Sequence, residues 1–176
     1  FVSHAPLEPQ NAFVHVGASR AQVIAPLQSP AGAQRMVHTL TGLPRSAISV
    51  EMTRSGGGFG RRLSNDFVGE AALISKATGR PIKLLWTRED DLRHDFFRPF
   101  GHHHMIATLD PTGGVTGWAH RLASTSKYYR RPNVPPEDMW TPELYPDDFP
   151  AQLVENFRLE WHAVTSGIAR GSWRAP

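Results

Sequence analysis

The sequence predicts a mixed α/β (α+β) fold, with mixed sheets of strands around two principal helices. Three observations predict it. Two runs place apolar residues at helical spacing between cap signals, several short segments alternate apolar and polar at period two, and a glycine run stands between one such strand and one such helix. At 176 residues, 40% hydrophobic and 10% aromatic, the chain is long enough for one domain with a sizeable core. The span 1–176 is accordingly read as a single domain.

Each element has its own signal. Residues 13–16 and 22–26 are strand-like and flank Gly17-Ala18-Ser19-Arg20, which has turn chemistry, so the front of the chain reads as a hairpin. Ser29 and Pro30 supply an N-cap and a first helical residue, Ala33, Met36, Val37 and Leu40 fall on one face, and Gly42 with Pro44 stops the helix. Gln28 then sits at a helix start, where a glutamine is by default a solvated loop amide. Ile48-Ser49-Val50-Glu51-Met52-Thr53 alternates as a half-buried strand does. Ser64 or Asn65 caps the second helix, Asp66 places negative charge in its first turn, Phe67, Ala71 and Ile74 recur at helical spacing, and Gly79 with Pro81 closes it. Residues 82–86 are short, mostly apolar and bounded by turn signals, which predicts a buried strand. Residues 100–109 and 115–124 read as strands around turn residues 110–114, and residues 157–161 resume strand alternation.

Between these last strands, residues 132–150 change character. Six prolines are interleaved with carboxylates and with Trp140, Tyr145 and Phe149. Such proline density excludes an α-helix or a central strand, while the aromatic content argues for an ordered excursion that packs its rings rather than a plain solvent loop.

The glycine run carries the strongest functional signal. Gly56-Gly57-Gly58-Phe59-Gly60-Arg61-Arg62 holds four glycines in five positions. Glycine contributes no side chain to a core and loses the most freedom on folding, so such a run is kept where something needs the backbone close. Between a strand and a helix it would offer main-chain N–H groups to an anion at the helix N-terminus. A tight strand-to-helix turn without a ligand would use the same residues. The familiar nucleotide signatures fail: no Gly-x-x-x-x-Gly-Lys is present, and Arg61 stands where the dinucleotide fingerprint needs its third glycine. Arg61 and Arg62 read by default as solvated charges at the helix start.

Composition excludes several classes. With no cysteine, the chain can form no disulfide, no thiolate zinc site and no cysteine-ligated iron–sulfur cluster. The net charge is +3, but the basic residues are interspersed with acidic ones rather than gathered in a stripe, so no nucleic-acid partner is expected. No apolar stretch approaches the ~20 residues of a transmembrane helix, and no signal peptide is visible at Phe1-Val2-Ser3-His4. Location stays open. In His102-His103-His104 adjacent side chains of a strand face opposite ways, so only His102 and His104 could share a ligand, and no carboxylate or thiol stands at a ligand-like offset. No metal site is expected from side chains.

Taken as a string, Gly-Gly-Gly-Phe-Gly resembles the molybdopterin-binding loop of the xanthine dehydrogenase and aldehyde oxidase family, the molybdenum hydroxylases. The version ending Arg61-Arg62, followed by Asp66-Phe67-Val68-Gly69-Glu70-Ala71-Ala72 and Trp86-Thr87-Arg88-Glu89-Asp90-Asp91, is similar to the isoquinoline 1-oxidoreductase beta-subunit branch. His4-Ala5-Pro6-Leu7-Glu8-Pro9-Gln10-Asn11-Ala12 resembles the branch's opening motif, Ala25-Pro26-Leu27-Gln28-Ser29-Pro30 its segment with a cofactor-side glutamine, and Gly171-Ser172-Trp173-Arg174-Ala175-Pro176 a downstream arginine motif.

The resemblance implies a molybdopterin-binding domain, a fragment of a large subunit. Its cofactor would be molybdenum–molybdopterin in a dinucleotide form, contacted by Gln28, Gly57, Gly58, Phe59, Gly60 and Arg61, with Arg174 beside the substrate pocket. Arg61 and Arg62 would then pair with the pterin phosphate or a subunit interface. The implied reaction is hydroxylation of an N-heteroaromatic compound or oxidation of an aldehyde with oxygen from water, electrons passing to a small iron–sulfur subunit. Leu63 occupies the position where xanthine-oxidising members carry an acidic residue, which argues against a purine. The family's catalytic glutamate lies in a later motif that this sequence lacks, so no catalytic residue is expected here and the isolated chain would be inactive. Two rivals use the same residues differently: a non-catalytic anion- or nucleotide-binding module, and a structural interaction domain.

Overall fold

The computed structural model describes residues 3–98, 100–127, 134–147 and 149–173. The chain divides into two compact units, residues 1–98 with 171–176, and residues 99–170.

The first unit is a four-stranded mixed sheet with two helices on one face. Strands β1 (Asn11–Val16), β2 (Ala21–Ala25), β3 (Ile48–Met52) and β4 (Ile82–Leu85) lie in the order β3-β2-β1-β4. β1 and β2 form the expected antiparallel hairpin, with Phe13 opposite Ile24 and Val16 opposite Ala21. β3 is parallel to β2, and β4 is antiparallel to β1. Ala12, Val14, Val16, Ala21, Val23 and Ala25 alternate onto the helix-covered face and are buried, as period two requires.

Helix α1 (Pro30–Thr41) begins at Pro30 and ends on Gly42, whose φ of 82° lets its amide close onto His38 O. Helix α2 (Asp66–Thr78) ends the same way on Gly79. Ser29 and Asn65 occupy the N-cap positions, but neither side chain caps a free amide. Of the predicted stripe, Phe67 and Ala71 are buried, together with Val68, Ala72 and Ser75, while Ile74 is 42% exposed and lies off the buried face. Ser75 earns its burial by accepting from Val16 N (2.9 Å) and donating to Arg80 O (2.6 Å). Against Gly69, where an added Cβ would meet Leu40 and Met36 at 3.3–3.4 Å, α1 and α2 approach closely.

The structure departs from the sequence reading in three places. β4 is a half-exposed edge strand rather than a buried one, with Leu85 65% exposed, because the strand order leaves it one neighbour and one covered face. A short helix not anticipated from the sequence, α3 (Arg88–Arg93), follows β4 and starts on a capping box between Thr87 and Asp90. Finally, the glycine run does not open α2 directly. A 3-10 turn, Arg61–Leu63, intervenes.

The second unit is a three-stranded sheet in the order β5 (Gly101–Leu109), β6 (Val115–Ser124) and β7 (Asn156–Ala163). β5 and β6 form an antiparallel hairpin, and β7 returns parallel to β6. In the proline-rich excursion, Leu144 is buried, and Trp140, Leu144 and Pro146 share with Phe157, Leu159 and Trp161 the wall of a cavity of about 500 Å³. Tyr145 and Phe149 remain exposed, so the rings pack only in part. Residues 132, 133 and 148 lie outside the described residues. Among the described residues it is His103 of the three histidines that pairs: its Nδ1 lies 2.9 Å from His120 Nε2 and the rings stack. Among the described residues, no group of three or more His, Cys, Asp or Glu is placed to hold a metal ion, and no helix is long and apolar enough to cross a membrane.

Candidate functional site

The glycine loop leaves β3 at one rim of the sheet and is shaped by three positive φ angles: Gly57 at 95°, Phe59 at 51° and Gly60 at 92°. Only glycine adopts such angles freely, and Phe59 holds one at a cost of the order of 1 kcal/mol. Its ring lies over Gly57, where an added Cβ would meet Phe59 Cε2 at 2.9 Å, and it is 54% exposed.

Gln28 is brought to this loop by the turn between β2 and α1. Its Oε1 accepts from Gly60 N at 3.1 Å, and its main-chain N–H donates to Arg62 O at 3.1 Å. Because a main-chain N–H can only donate, that contact fixes which end of the carboxamide faces the loop. Nε2 is left as a donor pair with no partner among the described residues, and the amides of Gly57, Gly58 and Phe59 are free in the same way. Gly58 completes the cradle. A Cβ there would stand 2.5 Å from Gln28 Oε1 and 2.7 Å from Cδ, so no side chain fits while Gln28 keeps its place.

The expectation that Arg61 and Arg62 are solvated is overturned, since both are buried. Arg62 Nε donates to Gly57 O at 2.9 Å, Nη1 to Pro26 O at 3.2 Å, and Nη2 to Glu8 O at 2.7 Å and Glu8 Oε2 at 3.3 Å. One guanidinium thus ties the glycine loop, the Gln28 turn and the opening motif together. Burial pulls its proton affinity below the ordinary arginine value, with Glu8 and Asp91 opposing. Arg61 is a bidentate partner of Asp66, at 2.8 Å for each bond, has its guanidinium carbon 4.7 Å from the Phe96 ring centroid, and sets Nε 3.3 Å from Asp95 Oδ1 without hydrogen-bond alignment. Its charge is committed within the chain.

Glu8 accepts from Gly56 N at 2.8 Å, and Arg88 Nη2 holds the Pro6 and Leu7 carbonyls at 2.7 and 2.9 Å. In the sequence these supporting residues are marked only by their place in the motifs flanking the loop. Arg174 lies outside the described residues.

The cradle presents donors and a face without side chains. It suits a group rich in acceptor atoms that must lie flat against main chain, and it offers no side-chain ligand to a metal. A molybdenum–pterin group, which carries its own sulfur ligands, meets that description.

Residues 1–172 match the molybdopterin cofactor-binding domain family. The chain is 30% identical over 152 residues to isoquinoline 1-oxidoreductase subunit beta of Brevundimonas diminuta, covering 85% of this chain and 18% of that one. It is 34% identical over 102 residues to xanthine dehydrogenase 1 of Arabidopsis thaliana, covering 53% and 8%. In fold it superposes on the aldehyde oxidoreductase of Desulfovibrio gigas with a TM-score of 0.70 at 16% identity, over 98% of this chain and 19% of that one. Quinoline 2-oxidoreductase of Pseudomonas putida 86 aligns with a TM-score of 0.61 at 22% identity, over 71% and 16%. The chain spans less than a fifth of the length of these relatives. With sequence and fold agreeing, this chain belongs to the molybdopterin cofactor-binding domain family of the molybdenum hydroxylases.

Proposed function

We propose that this chain is the part of a molybdenum hydroxylase large subunit that cradles the molybdenum–pterin group, in a dinucleotide form, along Gln28 and the loop from Gly57 to Arg61. The whole protein hydroxylates an N-heteroaromatic compound or oxidises an aldehyde with oxygen from water, and its electrons pass to a separate iron–sulfur subunit. When bound, the group supplies the oxygen-transfer and redox chemistry. This chain's residues supply position and polar stabilisation. Gln28 Nε2 donates to an acceptor atom of the group, the free amides of Gly57, Gly58 and Phe59 offer further donors, and Gly58 admits the group to the main chain. Arg61 and Arg62 hold the loop in that shape.

Residues 1–176 act as one cofactor-binding domain fragment, which draws support from a single family match running through both units. Catalytic groups come from elsewhere in the polypeptide, so the fragment alone has no turnover. Arg174 is assigned to the substrate pocket on motif alone. The absence of cysteine is compatible with iron–sulfur clusters held on another subunit.

The observation that carries this reading is the Gln28–Gly60 bond, which locks the acceptor end of the side chain and leaves the donor end free. Gln28→Glu tests it, because glutamate keeps the acceptor for Gly60 and removes the donor. In the full-length polypeptide, the rate of dye reduction with a panel of N-heteroaromatics and aldehydes should fall about 10²-fold, while the thermal midpoint stays close to that of the parent. Unchanged turnover, or an active parent without molybdenum, refutes it.

A further inference from the structure

Behind the glycine loop lies a buried ionisable cluster that the cofactor reading leaves without a role. The side chains of His4 and Asp95 are 0% and 1% exposed. His4 Nδ1 is 2.8 Å from Asp95 Oδ1 and 3.0 Å from Oδ2, and its Nε2 is 2.9 Å from the Ser172 carbonyl oxygen. The His4 ring stacks on Trp173 with centroids 4.0 Å apart and an interplanar angle of 23°. Asp95 also accepts from the amides of His4 (2.6 Å) and Phe96 (2.8 Å) and lies beside Arg61, whose other partner is Asp66.

The donor inventory fixes the proton count. A carbonyl oxygen only accepts, so His4 Nε2 must carry a proton to bond Ser172. Asp95 already accepts from two main-chain amides and faces Arg61, which is the environment of an ionised carboxylate, again an acceptor only. Nδ1 must therefore carry the second proton. Charge balance agrees: His4 and Arg61 as cations match Asp95 and Asp66, whereas a neutral imidazole would leave a buried carboxylate uncompensated. The indole face of Trp173 also favours a cation stacked upon it. Among the described residues, Arg62 beside Arg61 is paired with Glu8, and Arg88 and Asp91 pair with each other while Arg88 holds Pro6 and Leu7.

We propose that His4, as an imidazolium donating from both ring nitrogens, forms with Asp95 a positioning pair that couples the glycine loop, through Arg61, to residues 171–173. That segment leads into Arg174. Neither residue touches a reacting atom; both act by fixing where the two segments lie. The catalytic consequence rests on the cofactor reading, while the coupling itself does not.

The test uses hydrogen–deuterium exchange of the full-length polypeptide, comparing the parent with His4→Gln, which can donate to only one of the two acceptors, and with Asp95→Asn, which removes the counter-charge. Peptides covering 56–63 and 168–173 should both exchange at least several-fold faster in either variant, with the peptide over 12–25 unchanged. Steady-state kinetics should show KM raised roughly tenfold at little change in kcat or molybdenum content. Faster exchange in only one of the two segments, no change in either, or an equal rise over 12–25 that marks general unfolding overturns the coupling. Parent protein without molybdenum instead overturns the cofactor reading and leaves the exchange result standing.

Discussion

Gly58 has room for a hydrogen atom and nothing larger. A methyl group placed there would stand 2.5 Å from Gln28 Oε1, well inside contact distance, so Gly58→Ala should push the glutamine aside and break its bond to Gly60. Metal analysis of the full-length variant should find most of the molybdenum gone while the sheet core, which Gly58 does not touch, keeps the protein folded. Full metal content would show that the loop tolerates bulk. The need for bare backbone at Gly58 was readable from the sequence because only glycine meets it, whereas Gln28 was marked only by its place in a family-like string. Arg61 and Arg62 were misread for the opposite reason. Arginine is usually solvated, and nothing local reveals that carbonyls of residues 8, 26 and 57 converge on Arg62.

At the level of elements, period and caps located both principal helices and most strands, because each signal is local. β4 and α3 were less visible. The burial of β4 depends on which strand lies beside it, and α3 is a turn and a half whose only mark is the Thr87–Asp90 box. The β5–β6 hairpin carries a pH response of its own. Burial, and then the neighbouring His103, lower the proton affinity of His120 below the usual histidine range. The unfolded chain takes up that proton near pH ~6.5 while the folded hairpin still excludes it. Stability from this site is therefore fully present above that value and declines as pH falls through it toward the lower folded value. Urea midpoints measured across this range should drop for the parent, and His120→Gln should flatten the slope. An identical slope in the variant would place the response elsewhere.

For the whole molecule, Arg62 is the residue whose loss should be felt most widely. Arg62→Met keeps the bulk but strands three carbonyl oxygens and the buried side of Glu8, so unfolding should become easier by about 3–5 kcal/mol in denaturant titrations. A loss under about 1 kcal/mol, the scale of a surface pair, would mean that water reaches these groups.

The first unit also depends on partners far apart along the chain. The family motifs were readable as strings, but the contacts among them were not, since His4 meets Asp95 across 91 positions and Ser172 across 168. Chain synthesis is vectorial, and contacts between distant positions are the slowest to form. β1 has no second neighbour until β4 leaves the ribosome, and the His4 clamp cannot shut until the segment beyond the second unit has emerged. Within these residues the opening motif thus emerges long before its last partner, and His4 stays unclamped until the Ser172 carbonyl arrives to complete its shell.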